Sequence, residues 1–262
     1  MNKNMMSASI GATERLPVIR EVNPSIVIDW LHAGVEDAQR GGWSSLFYGF
    51  VFTITGLIIH IVYAEHYWLL AGLTTGFFLL GPFLATGLYD LSRRMENGEP
   101  PSLIPSLTAW RTNLANMFLF TLLLLATLLV WTLASFSIFS HFFNGALPTF
   151  TDIVISVIKL KQPLFTLIYF SVGGLFAIFV YAISVVAIPL MLDNKVTAGT
   201  AALVSLRACI RNPVAMLLWA FCIVVLVGVG LATSFLGLFL FMPIVGHASW
   251  HVYKDLIDTS HL

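Results

Sequence analysis

Two histidines four residues apart, His247 and His251, are the pair best spaced to act together. On a helix that spacing puts both imidazoles on one face, where they could hold one metal ion. The usual metalloprotease arrangement has a general-base carboxylate next to the first histidine, and Ala248 stands there instead. No third ligand is near in sequence, since Met242, five residues before His247, suits a different face. With Trp250 and Tyr253 beside them, the two side chains read more simply as amphipathic groups at the headgroup level of a bilayer.

The remaining candidates are weaker. His60, His66 and His141 lie near the other ends of their apolar runs, so His60 and His247 cannot share a haem. Seven histidines, including His32 and His261, do not supply the fixed depths that two haems and a copper need. Asp90 and Asp193 stand at helix ends within reach of Arg93, Arg207 or Arg211, as ordinary ion pairs do. Arg207 and Arg211, four apart, make a basic helix face that could meet anionic lipid at about 1 kcal/mol per basic residue. No nucleotide loop, Ser-His-Asp set or pair of catalytic carboxylates is visible, and Cys209 and Cys222 are too few for a disulfide framework. The expectation is no catalytic residue, no metal and no cofactor, with Arg207, Arg211 and Trp250 as a lipid- or partner-binding face.

These residues are positioned by a very apolar chain. Of 262 residues 58% are hydrophobic and only 10% charged, with a mean hydropathy of +0.89. Such a chain cannot solvate its own surface, so the bilayer must be its solvent. A formal net charge of zero argues against nucleic acid as a partner. Met1–Val22 reads as a flexible tail with no secretory signal, so the first span must drive insertion. Ile26–Arg40 has the spacing of a short interfacial helix, with Asp29, Glu36, Asp37 and Arg40 in water or headgroups.

Five charge-free runs follow. They predict helices over Gly41–Ala64, His66–Tyr89, about Leu114–Phe139 and Gln162–Leu192, and a last run, Asn212–Tyr253, too long for one span. Gly228, Gly230, Thr233, Ser234 and Gly237 mark where that run should turn back, between Val214–Leu231 and Phe235–Tyr253. The alternative is one long tilted helix and five spans. The fold expected is therefore all-α and polytopic: six transmembrane helices as three hairpins with amphipathic interfacial lead-in helices. Its single domain runs over residues 23–256, followed by a short tail, 257–262.

Orientation follows from charge. Lys3, Arg15, Arg20, Arg40, Arg93, Arg94, Arg111, Lys195, Arg207, Arg211 and Lys254 fall on one side, and only Lys159 and Lys161 on the other. Eleven against two places both termini in the cytoplasm. A repeat supports the three-hairpin reading. Ala109–Asn116 and Ser205–Asn212 share small–apolar–Arg–x–x–apolar–x–Asn ahead of a span, and Pro82, Pro189 and Pro243 recur in the second helix of each hairpin. Gly72 and Gly76 match a close-packing pattern. Leu147–Lys161 has the apolar spacing of a second interfacial segment.

Three segments, GPFLATGLYDLSRRMENGE (Gly81–Glu99), Ile188–Ala220 and MPIVGHASWHVYK (Met242–Lys254), carry a family likeness. Together they resemble a domain-of-unknown-function family of bacterial integral membrane proteins, some labelled cytochrome c oxidase subunits. The resemblance implies a bacterial inner-membrane address and no mechanism. The function expected is a non-enzymatic accessory, assembly or lipid- or partner-binding factor, associated with a respiratory complex if the label carries over. The alternative is a small transporter or channel using proline-interrupted helices, although no span holds an Asp, Glu, Lys or Arg in its interior.

Overall fold

The structure, a computed structural model, describes residues 17–65, 67–143 and 162–260. Its helices are α1 (Ile26–Gly41), α2 (Trp43–Glu65), α3 (Tyr67–Glu96), α4 (Leu103–Ser106), α5 (Leu114–Phe142), α6 (Pro163–Ser184), α7 (Ala187–Asp193), α8 (Ala198–Arg211), α9 (Pro213–Ala232) and α10 (Leu238–Leu256). A 3-10 turn, Ala109–Asn113, leads into α5, and two short strands, β1 (Val18–Ile19) and β2 (Ile257–Asp258), pair antiparallel. Pro163 and Pro213 each open a helix, where their missing N–H has no intrahelical acceptor to lose.

Four stretches among the described residues are long and apolar enough to cross a membrane: Trp43–Ile61, Leu103–Phe142, Pro163–Asp193 and Pro213–Ala232. Their outward rows, such as Phe50, Ile54 and Ile58 on α2 or Leu217, Phe221 and Val224 on α9, are exposed. Hydrocarbon is the solvent that suits such a surface, and the chain is an integral membrane protein with several apolar helices.

The other end of the molecule is packed like a soluble core. Trp30 of α1, Leu190 of α7, Trp219 of α9 and Trp250, Tyr253 and Leu256 of α10 are fully buried there. The α1 helix runs antiparallel to the C-terminal half of α10, and α2 to its N-terminal half. Both contacts need glycine. A Cβ on Gly34 would lie 2.7 Å from the Ile244 carbonyl oxygen, and one on Gly49 would lie 2.0 Å from the Phe239 carbonyl oxygen. Pro243 sits inside α10 four residues beyond Phe239, so that carbonyl has lost its usual helical N–H. Backbone of α2 and α10 meets where the helix ladder is broken.

Four expectations change. On α1, Asp29, Glu36 and Arg40 are exposed as expected, but Asp37 turns inward: it and Trp30 are buried against α10 and α3, because partners for the carboxylate wait there. The helix expected over Gln162–Leu192 is broken at Val185–Val186, four residues before Pro189, whose ring and missing N–H oppose a continuous turn. The second lead-in, residues 103–113, is a short helix and a 3-10 turn, not one amphipathic helix. Residues 18–22 and 257–258 are not free tails either. Beyond the strand pairing, Arg20 N–H donates to Leu256 O at 2.8 Å and Arg20 pairs with Asp258 at 2.8 Å. That hydrogen bond and charge hold the Asp258 carboxyl well below the usual carboxylate range.

The last apolar run does turn, at Thr233–Gly237. Ser234 (φ 54°) and Phe235 (φ 69°) take left-handed backbone there without being glycine. Thr233 Oγ1 accepts the Gly237 N–H at 2.9 Å, and the Phe235 ring covers Gly56 and lies 5.8 Å from His60. Gly72 and Gly76 fall in the part of α3 whose side-chain surroundings lie outside the described residues; His66, the tail Met1–Leu16 and all of Leu147–Lys161 lie outside them as well.

Candidate functional site

The most unusual feature of the packed end is a chain of hydrogen bonds between four helices. His251 Nε2 lies 2.8 Å from Asp37 Oδ2 on α1. Ser92 of α3 donates its hydroxyl to the same oxygen at 2.6 Å. Because that proton is spent, Ser92 must accept from His247 Nδ1, 2.7 Å away. A neutral His247 then presents Nε2 as acceptor to Ser45 of α2, at 2.8 Å. Every donor in the series points towards Asp37.

The chain is sealed except at one end. Ser45 and His247 are 0% exposed, Ser92 1% and Asp37 6%, whereas the His251 side chain keeps 30% of its surface. Burial pushes the Asp37 carboxyl up, but the hydrogen bonds from His251 and Ser92 outweigh it. The carboxyl rests below its ordinary value.

Chemically, Ser45 and His247 stand as nucleophile and base do in hydrolases. There is no space for a substrate, however. Ser45 is wholly buried, and a Cβ on Gly41 would lie 2.0 Å from its Oγ. Nor do the two histidines converge as a metal pair. Both His247 nitrogens engage serines while His251 engages Asp37, and among the described residues no three His, Cys, Asp or Glu side chains gather as ligands.

The other residues singled out by sequence fall into two places. Asp90 is fully buried and paired with both Arg93 and Arg94, while Arg93 also donates to Leu192 O at 3.2 Å. Asp193 does not meet an arginine: it accepts from Tyr253 Oη at 2.8 Å and lies 3.8 Å from Lys254. Trp250 does not face outward. Its ring is fully buried under Lys254, and its Nε1 donates to Glu96 at 2.9 Å, so the polar tip of the indole is satisfied inside the protein. It cannot contact lipid in this conformation.

Arg207 and Arg211 do face outward on α8. Arg211 reaches Glu21 at 3.0 Å, whereas Arg207 has no ion-pair partner among the described residues. Exposed Leu203, Ile210 and Val214 flank them, and this stripe continues into the exposed apolar face of α9. The inner face of α8, Ala201, Val204, Ser205 and Ala208, is buried.

Sequence reasoning missed Asp37, Ser45 and Ser92. A signal existed for Asp37: Val27, Trp30, Gly34, Asp37 and Gly41 also recur at helical spacing and are the buried row of α1. Counting only apolar residues selected the adjacent row. Nothing local distinguishes Ser45 or Ser92 from serines that bond their own helix.

A family model described as "Predicted integral membrane protein (DUF2189)" matches residues 69–193, from α3 to α7. The match includes Asp90, Ser92 and Arg93 but not α1 or α10, which carry Asp37, His247 and His251. No curated protein and no solved structure matches the chain.

Proposed function

We propose that this chain is a non-enzymatic accessory protein of a bacterial inner membrane that binds anionic lipid, and through it a membrane partner, at its polar end. The observation that carries this reading is the outer face of α8. Leu203, Arg207, Ile210 and Val214 form a basic and apolar stripe running into the lipid-facing side of α9. A helix with that face, joined to a span, belongs in the headgroup layer, where each arginine adds about 1 kcal/mol of attraction to anionic lipid.

Six spans and cytoplasmic termini fit the same picture. Pairing of β1 with β2 brings residues 18–19 beside 257–258. An even number of crossings, four or six, is consistent with that pairing. The charge asymmetry of the sequence puts this end inside. The resemblance makes a respiratory complex the first partner to look for.

Native purification in mild detergent, with mass spectrometry of retained lipids and proteins, tests the proposal. Anionic phospholipid should be retained, and Arg207→Glu with Arg211→Glu should remove it. A protein that keeps no anionic lipid and no partner would sink the reading. A transport role draws support from the break before Pro189 and from Pro243 inside α10, which denies the Phe239 carbonyl its usual helical N–H. Solute flux in proteoliposomes, absent from the α8-independent control of empty vesicles, would favour it instead.

A further inference from the structure

We propose that Asp37, Ser92 and His247 form a proton-operated latch, which holds α1 against α3 and α10 and opens when His247 takes up a proton. This goes beyond lipid binding and does not depend on it. The hydrogen bonds leave little freedom. Ser92 has one proton and gives it to Asp37, so His247 is the donor to Ser92 through Nδ1 and the acceptor from Ser45 through Nε2. A second ring proton must enter at Nε2. Ser45 would then have to turn its hydroxyl away, and a cation would sit in a place with no solvent.

The surrounding charges are already committed. On α1, Glu36 and Arg40 pair with each other at the exposed surface. On α3, Asp90 is held by Arg93 and Arg94, and Glu96 by Trp250 and Lys254. Among the described residues, α2 bonds the ring through the Ser45 hydroxyl, and α10 bonds α1 through His251 to Asp37 and through Asp255, which accepts from Trp30 Nε1. Asp37, His247 and His251 are therefore the titratable groups of the chain. The two histidines act in opposite senses: a proton on His251 turns its hydrogen bond to Asp37 into an ion pair and tightens α1, whereas a proton on His247 breaks the series behind it. Asp37 is the shared acceptor, so the bond of α1 to α3 and half of its polar bond to α10 run through this one carboxylate.

The test is hydrogen–deuterium exchange of the full chain in nanodiscs of zwitterionic lipid at pH 7.5 and 5.5, corrected for the intrinsic pH dependence of exchange. Amides of α1 should exchange at least about tenfold faster at pH 5.5, a factor worth about 1.4 kcal/mol, while the spans hold. In His247→Gln the amide can donate to Ser92 and accept from Ser45 but takes no proton, so the pH response should vanish; His251→Gln should keep it. Unchanged α1 protection in the wild type, a normal response in H247Q, or a response lost only in H251Q would overturn the latch. Should H247Q fail to fold, histidine-labelled NMR of the wild type decides. The His247 ring must titrate over the pH range in which α1 opens, and a mismatch rejects the proposal.

Discussion

At the residue scale, a buried polar group matters through the partners it leaves behind when removed. Ser92 serves both Asp37 and His247, so Ser92→Ala should strand a carboxylate lone pair and an imidazole N–H at once. Each orphan costs about 1–3 kcal/mol, and the thermal midpoint in detergent should drop clearly. Thr132→Val is the control, because the Thr132 hydroxyl is exposed and bonds only Leu128 of its own helix. Acid should expose the same coupling. The Asp37 carboxyl lies lower in the folded protein than its ordinary value. Its contribution is complete above the unfolded carboxylate value, near pH 4, and is lost as the pH falls through the lower folded value. Unfolding between pH 5 and pH 2 should therefore be steeper for the wild type than for Asp37→Asn; parallel curves would show that Asp37 carries no such linkage.

At the element scale, close helix contacts rest on particular glycines. Gly49 meets the Phe239 backbone, which cannot move aside, whereas a Cβ on Gly228 would find nothing within 4 Å. Gly49→Leu should separate α2 from α10 and cost at least the 1–3 kcal/mol or so typical of overpacking, read as loss of folded protein in detergent. Gly228→Leu should be tolerated. The helices themselves were legible because apolar length alone specifies a span. The α1 helix was misjudged by one row, since its buried face uses Val27, Trp30, Gly34, Asp37 and Gly41 and leaves Ile28 and Val35 exposed. Topology can be checked directly: a reporter fused after Gly98 should behave as cytoplasmic and one after Gly145 as external. The reverse pattern would invert the molecule in the membrane.

At the scale of the whole molecule, the asparagines shared by the sequence repeat have related jobs. Asn116 Oδ1 accepts the Ala198 N–H at 3.2 Å, tying the start of α5 to the start of α8. Asn212 Oδ1 accepts the Val22 N–H at 2.9 Å, and its Nδ2 donates to Arg20 O at 3.0 Å, tying the junction of α8 and α9 to the segment before α1. Ser44 Oγ donates to Pro101 O at 3.4 Å, a longer link from α2 to the segment before α4. Asn212→Ala should release residues 17–22 and β2, seen as faster amide exchange at both ends of the chain; unchanged protection would mean that the strands hold without the clamp.

Sequence by itself determined the membrane, the apolar helices and the turn in the last run, because each follows from composition or chain length within one segment. It also marked Asp90 with Arg93, which are three residues apart on one helix. Only the tertiary structure decided the polar end. Asp37, Ser92, His247 and Ser45 come from four helices and up to 210 positions apart in the chain. No local pattern encodes such a meeting. Trp250 turned inward for the same reason: an indole goes wherever its ring is covered and its N–H is met, and Glu96 meets it inside.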